Sequence, residues 1–71
     1  MKTIMHNGVN WYKAKDITKE LGFKTYDISK YVNPNNQRFR SELGTPYSKH
    51  ERKYALFIND SGVQCLMNVR L

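Results

Sequence analysis

A run of apolar residues between positions 11 and 32 constrains the fold more than any other feature, because it fits two short helices joined by a glycine turn. Ile17 and Leu21 are four residues apart, so they share one helical face. Gly22 follows directly, at the position where a helix end favours a residue that tolerates positive φ. This spacing predicts a helix over about residues 14–21 and a tight turn after it.

A second helix is predicted over about residues 26–32, with one apolar face and one polar face. Ile28, Tyr31 and Val32 form the inner face, and Thr25 can cap the helix. Two short helices with a turn of this length are typical of a helix-turn-helix. The outer face and its entry carry cations, hydroxyls and an amide, at Lys24, Thr25, Tyr26, Ser29, Lys30 and Asn33. Such groups suit phosphates and base edges, although a purely solvated face has the same composition.

A β-hairpin is predicted over about residues 2–13, because Asn7-Gly8 is a strong signal for a two-residue turn. Closing the hairpin at this turn places Ile4 opposite Trp11. We expect that pair to pack onto the helices, since an aromatic side chain opposite a β-branched one usually belongs to a core.

The middle of the chain, residues 33–53, is predicted to be a basic loop, because Asn33-Pro34 and the polar residues after it favour turns. Residues 38–43 within it fit either one helical turn or a strand. If this part is extended, Arg38 and Arg40 share one side and Phe39 anchors the other, which suits a basic arm lying on phosphates. A mobile, solubilising loop is the alternative.

The last third of the chain predicts a strand over residues 54–58 and a helix over about residues 60–70, with Asn59 or Asp60 as its cap. The inward stripe of this helix is predicted to comprise Val63, Leu66 and Met67, with Cys65 and Val69 at its margins. Together these elements predict a small single α+β domain with an N-terminal hairpin, a helix-turn-helix-like pair, a further strand and a C-terminal helix.

The net charge of +6 in 71 residues favours polyanionic partners such as duplex DNA or RNA, or an acidic protein or membrane surface. Most of this charge lies in residues 24–53. No apolar run approaches membrane-spanning length, and the N-terminus lacks the apolar stretch of a signal peptide. We therefore expect a soluble, intracellular protein without a membrane partner, and the lone Cys65 fits a reducing compartment.

The sequence contains no arrangement of residues that is typical of catalysis or metal binding. His6 and His50 lie far apart, Cys65 is the only cysteine, and no spacing resembles a zinc site. A glycine-rich phosphate loop is also missing. We therefore expect no enzyme activity, no metal and no cofactor.

Two stretches of the sequence carry a family resemblance. The first reads Trp11-Tyr12-Lys13-Ala14-Lys15-Asp16-Ile17, followed by Leu21-Gly22-Phe23, and the second reads Phe57-Ile58-Asn59-Asp60-Ser61-Gly62-Val63. Their order and spacing resemble the Bro-N domain family of viral Bro proteins and phage antirepressors, which is related to KilA-N and MSV199-type domains. The resemblance implies an α+β DNA-binding module without a catalytic centre. The family usually continues past the last helix, so we expect a shortened member or a piece of a longer protein.

These observations favour a DNA-binding module of a viral or phage regulator of the antirepressor type. Phosphate contacts are expected from Lys24, Lys30, Arg38 and Arg40, and contacts to base edges or sugars from Thr25, Tyr26, Ser29 and Asn33. Double-stranded DNA is the expected partner, and a homodimer or a missing C-terminal domain could assist binding. The resemblance implies action in the host cytoplasm or nucleus for a virus and in the bacterial cytoplasm for a phage.

Two alternatives stay open at this point. The domain could bind an acidic protein such as a repressor, because a basic surface suits such a partner as well as a nucleic acid. It could instead bind RNA or single-stranded DNA, with Tyr26, Phe39 or Tyr47 stacking on bases.

Overall fold

Strands and helices alternate irregularly along the chain and form one antiparallel sheet with a helical layer, so the predicted α+β class is confirmed. The computed structural model describes residues 3–24, 26–44 and 49–70, with the backbone alone at Arg70. The elements are β1 (Thr3–His6), β2 (Val9–Lys13), α1 (Ala14–Leu21), α2 (Asp27–Tyr31), a 3-10 turn (Pro34–Asn36), β3 (Gln37–Phe39), a 3-10 helix (Arg40–Leu43), β4 (Leu56–Asn59) and α3 (Asp60–Arg70).

The sheet has the strand order β1-β2-β4-β3, and each neighbouring pair is antiparallel. The turn between β1 and β2 has positive φ at both Asn7 (52°) and Gly8 (77°), as a type I′ turn requires. Ile4 pairs with Trp11 in the predicted register. Strand β4 then lies between β2 and β3, so residues distant in sequence become neighbours in the sheet.

The three helices cover one face of the sheet and enclose the larger part of the core. Its buried members are Ala14, Ile17, Ile28, Val32, Ile58 and Leu66. Helix α1 ends as predicted at Gly22, which has a φ of 80°. The backbone N–H groups of Gly22 and Phe23 both donate to the carbonyl of Thr18, which satisfies the end of the helix.

A second buried cluster lies on the opposite face of the sheet and comprises Ile4, Trp11, Leu43 and Phe57. The expectation that Ile4 and Trp11 pack onto the helices is therefore wrong. Side chains alternate between the two faces of a strand, and Tyr12 takes the helix-facing position opposite Ile58. Trp11 consequently points away from the helices.

Residues 33–53 were predicted to be a basic loop, part of which fits one helical turn or a strand. The structure has both elements there, strand β3 and the 3-10 helix, so the loop is shorter than predicted. Strand β3 pairs with β4, and the backbone N–H of Arg40 then donates to the carbonyl of Ala55 at 2.8 Å. The predicted strand over residues 54–58 is found at Leu56–Asn59. Three mostly polar residues form β3, so only its pairing with β4 identifies it as a strand.

The start of α3 combines a cap with a close approach of the helix to its neighbours. The Asn59 side-chain oxygen accepts a hydrogen bond from the N–H of Gly62 at 2.9 Å, which confirms Asn59 as the cap. A Cβ on Gly62 would lie 3.1 Å from both Ile58 Cβ and Val32 Cγ1. Met67 is 43% exposed, so its predicted place in the inward stripe is wrong.

Candidate nucleic-acid interface

The outer side of α2 and its entry form a polar surface. We define the α2 surface as Lys24, Tyr26, Ser29, Lys30 and Asn33, all of which are exposed. Tyr26, the aromatic residue of the set, is 72% exposed. Thr25 was predicted to belong here and lies outside the described residues, as does Tyr47. The structure therefore brings together five of the eight residues that the sequence suggested.

The helix places these groups through local hydrogen bonds. Asp27 accepts a hydrogen bond from the backbone N–H of Lys24 at 2.9 Å, which fixes the turn into the helix. The Ser29 hydroxyl donates to the carbonyl of Tyr26 at 3.0 Å, so its oxygen keeps capacity to accept another bond. Asn33 uses its side-chain oxygen to accept from the Asn35 N–H at 2.9 Å, and its amide N–H groups are the ones suited to an external acceptor.

The cations of this surface differ in how they are held. The Lys30 ammonium lies 5.3 Å from the centroid of the Tyr31 ring, a distance at which the ring attracts the charge. Lys24 precedes the helix and is exposed. Helix α2 itself has five residues and is about 7.5 Å long. The major groove of B-DNA, about 12 Å wide, admits an α-helix.

Arg38 lies on the other face of the sheet, away from the α2 surface. It pairs with Phe57 across β3 and β4, and its guanidinium carbon lies 5.5 Å from the Trp11 ring centroid. Its Nη1 atom donates to the carbonyls of Gln37 at 2.7 Å and Asn35 at 3.2 Å. These contacts hold the Arg38 guanidinium beside the Trp11 ring.

Arg40 is buried, with 4% exposure, and its Nε atom lies 3.4 Å from a carboxylate oxygen of Glu51. The predicted basic arm, with Arg38 and Arg40 on one side and Phe39 anchored on the other, is wrong. The strand ends at Phe39, and the 3-10 helix that begins at Arg40 turns this side chain inward. Phe39 remains 44% exposed. The Arg40 guanidinium is therefore packed inside the fold.

A second cationic region was not predicted from the sequence. An open groove of about 860 Å³ lies beside the end of β2 and the segment before β4. We define the basic groove by its exposed cations Lys13, Lys15, Arg52 and Lys53 together with His50 and Tyr54. The pairs Lys13/Lys15 and Arg52/Lys53 are separated by 37 residues or more in the sequence, and the pairing of β2 with β4 brings them together. No local pattern reveals that proximity.

Other kinds of site can be checked in the part of the chain that the structure describes. There, no three His, Cys, Asp or Glu side chains are grouped so that they could hold a metal ion. The longest helix in that part, α3, has 11 residues, and no described helix has the length and apolarity needed to cross a bilayer.

One polar pair, Tyr12 and Asp60, links the helix-facing side of the sheet to α3. The Tyr12 pKa is raised above its ordinary value, mainly by hydrogen bonding with the Asp60 side chain, then by burial and by the negative charge of Asp60. The pair lines a smaller, partly acidic hollow between α1 and α3 and is separate from both cationic regions.

Comparisons with known proteins give one family and no individual relative. No curated protein and no solved structure shows a significant match to the chain. A family model described as the BRO family, N-terminal domain, matches residues 1–70 of the 71. That match spans both sequence stretches that resemble Bro-N domains. The chain therefore belongs to the N-terminal domain family of BRO proteins.

Proposed function

We propose that this chain binds double-stranded DNA through the α2 surface. Domains of its family are in general DNA-binding modules of viral and phage proteins. The observation that carries the proposal for this chain is the exposed face of α2, where two cations lie among hydroxyl and amide groups on a helix, the element that the major groove admits.

The residues of the α2 surface make two kinds of contact, to phosphates and to bases or sugars. Lys24 and Lys30 neutralise backbone phosphates, which positions the helix without reading sequence. Tyr26, Ser29 and Asn33 lie between and beside them, and their hydroxyl and amide groups approach base edges or sugars. Thr25 belongs to the same proposed contact set by its place in the sequence.

Arg38 and Arg40 are left out of this contact set. Arg38 lies against Trp11 on the other face of the sheet, and Arg40 is buried beside Glu51. Few cations therefore contact the duplex, and binding by one copy is modest in affinity and sensitive to salt. A second copy or a further domain would supply the remaining specificity.

We further propose that the domain serves a viral or phage regulator of the antirepressor type, acting inside the cell where the DNA is. The family membership supports this role.

The test is fluorescence anisotropy of a labelled duplex over a salt series, with the unaltered protein and with Lys30→Glu. The expected result is measurable duplex binding at low salt that Lys30→Glu weakens about tenfold or more, with a shallower dependence on salt because one phosphate contact is lost. The matched control is Lys19→Glu, an exposed change on α1 that lowers the net charge by the same amount, from +6 to +4.

The two substitutions separate a local contact from a general effect of charge. Equal losses for Lys30→Glu and Lys19→Glu would contradict the assignment of the α2 surface. An absence of duplex binding at low salt would contradict the proposed function and direct the search to an acidic protein partner. Circular dichroism of both variants checks that each is folded.

A further inference from the structure

We propose that the basic groove binds an unpaired nucleic-acid strand, separately from the α2 surface and at the same time as it. The features of the groove alone support the strand site. The separation of this site from a duplex site rests on the proposed function. The groove is defined as above by Lys13, Lys15, His50, Arg52, Lys53 and Tyr54.

The charge of the groove is strongly one-sided. Lys13, Lys15, Arg52 and Lys53 are all exposed around it. Glu51 is the acidic residue in its lining, and the Glu51 carboxylate faces the buried guanidinium of Arg40. Four exposed cations around one concavity favour a chain of phosphates over an isolated anion.

The shape and the apolar part of the lining favour an unpaired strand over a duplex. Proteins usually read a duplex by inserting a projecting element, such as a helix, into its major groove. The basic groove is instead concave and lies on a domain of only 36 × 24 × 20 Å, which favours a single extended strand as its occupant. Phe57, Ala55 and Leu56 supply apolar wall beneath the cations. Unpaired bases can lie on such a wall, while paired bases present mainly phosphates to it.

An aromatic platform stands at the groove. Tyr54 is 69% exposed, and the Phe39 ring meets it edge to face with centroids 5.7 Å apart and planes at 83°. Phe39 thereby supports the orientation of the Tyr54 ring. The Lys53 ammonium lies 5.7 Å from the Tyr54 centroid, so a charge and a stacking surface are adjacent. That combination is typical of proteins that bind single strands.

The basic groove and the α2 surface share no residue, because the groove is lined by the end of β2, the start of α1 and the chain around the start of β4. Lys13 pairs with Phe57, whose side chain belongs to the cluster on the face away from the helices. Helix α2 packs through Ile28 into the cluster on the helical face, and none of its residues lines the groove. Two separate nucleic-acid segments can therefore be held without competing for the same residues.

The test compares matched double variants against two probes. Arg52→Glu/Lys53→Glu alters the groove, Lys24→Glu/Lys30→Glu alters the α2 surface, and each lowers the net charge from +6 to +2. The probes are a labelled 12-nucleotide strand without self-pairing, offered as DNA and as RNA, and a labelled blunt duplex. The groove variant should weaken strand binding at least tenfold and change duplex affinity less than twofold, and the α2 variant should do the reverse.

A second measurement tests the aromatic platform without a change of charge. Tyr54→Ala should weaken strand binding about five- to a hundredfold, the range expected for losing one stacked base. Tyr54→Phe keeps the ring and should bind like the unaltered protein. Because Tyr54 is mostly exposed, both variants should fold.

Simultaneous binding is tested by adding unlabelled duplex to the complex with the labelled strand. The strand should stay bound, and energy transfer between a labelled strand and a labelled duplex should report both on one protein. Displacement of the strand by the duplex, equal losses of both probes in the groove variant, or equal strand binding by Tyr54→Ala and Tyr54→Phe would each overturn the proposal. A comparison of the DNA and RNA strands shows whether the groove prefers deoxyribose or ribose. Tighter binding of either strand supports the strand site. If only the duplex measurements failed, with no effect of the α2 variant on duplex binding, the assignment of the α2 surface would be contradicted. The support for the strand site would be unaffected.

Discussion

The Nε atom of Arg40 lies 3.4 Å from Oε1 of Glu51, and this ion pair joins the 3-10 helix after β3 to the segment that carries Arg52 and Lys53. Two backbone hydrogen bonds run beside it, from the N–H of Arg40 to Ala55 at 2.8 Å and from the N–H of Ser41 to the carbonyl of Lys53 at 3.0 Å. The buried Arg40 thus helps to fix the segment that carries Arg52 and Lys53, whose exposed side chains line the groove.

Glu51→Gln should lower the free energy of unfolding by about 1–3 kcal/mol, because it removes a carboxylate charge that lies beside the buried guanidinium of Arg40. The loss of stability should be smaller than for a fully buried ion pair, because Glu51 is partly exposed to solvent. Urea unfolding measures the loss. Arg40→Met/Glu51→Gln is the control, and it should be more stable than Glu51→Gln alone, since it also removes the buried positive charge that the carboxylate offsets. The opposite order would contradict this account of the pair.

Gly62→Ala should destabilise the domain by about 1–2 kcal/mol, although alanine is the better helix former by about 1 kcal/mol. The new methyl group would lie 3.1 Å from both Ile58 Cβ and Val32 Cγ1, and both belong to tightly packed elements. Thermal unfolding checks the prediction. Ser61→Ala, at an exposed neighbouring helical position, serves as the control and should change stability little. A stabilised Gly62→Ala would show that helix propensity outweighs the packing conflict.

Asn59→Ala should cost about 1–3 kcal/mol, because it removes the cap acceptor for Gly62 and the hydrogen bond from its side-chain amide to Asn36. Asn59→Asp should retain most of the stability, since its carboxylate can still accept from Gly62 at the positive end of the helix. Equilibrium unfolding of the two variants separates the contributions. Identical losses in both would mean that the bond to Asn36 outweighs the cap.

The Tyr12–Asp60 pair predicts a dependence of stability on pH. The pair raises the Tyr12 pKa above its ordinary value of 10.0, so the protonated phenol is favoured in the folded state. This contribution is fully present below about pH 10 and is lost as the pH rises through the raised folded pKa. The stability advantage of the unaltered protein over Tyr12→Phe should therefore shrink above pH 10. Urea unfolding of both proteins between pH 8 and 11 measures it, and a constant difference would contradict the prediction.

The turns and caps of this domain could be predicted from short stretches of sequence. Asn7-Gly8 accepts the positive φ that a two-residue hairpin needs, and Gly22 ends α1 for the same reason. Asn59 caps α3 from three residues away. In each case the interacting groups are at most a few residues apart, so their spacing alone specifies the contact.

The choice of sheet face could not be predicted. Trp11 and Tyr12 are adjacent aromatic residues on one strand, and their alternation leaves open which of them meets the helices. Both sides of this sheet bury apolar side chains, one against the helices and the other against the segment around Leu43. The pattern of a sheet with one solvated face therefore does not apply.

The amino-acid sequence by itself determined the hairpin, the end of α1, the cap of α3, the exposed polar face of α2 and the strongly basic charge. Tertiary structure alone decided that Arg40 is buried beside Glu51 and that Lys13 and Arg52 line one groove. The physical reason is distance along the chain. Local hydrogen bonds and helical spacing act between residues a few positions apart, whereas the groove exists only because β2 and β4, more than 40 residues apart, pair in one register.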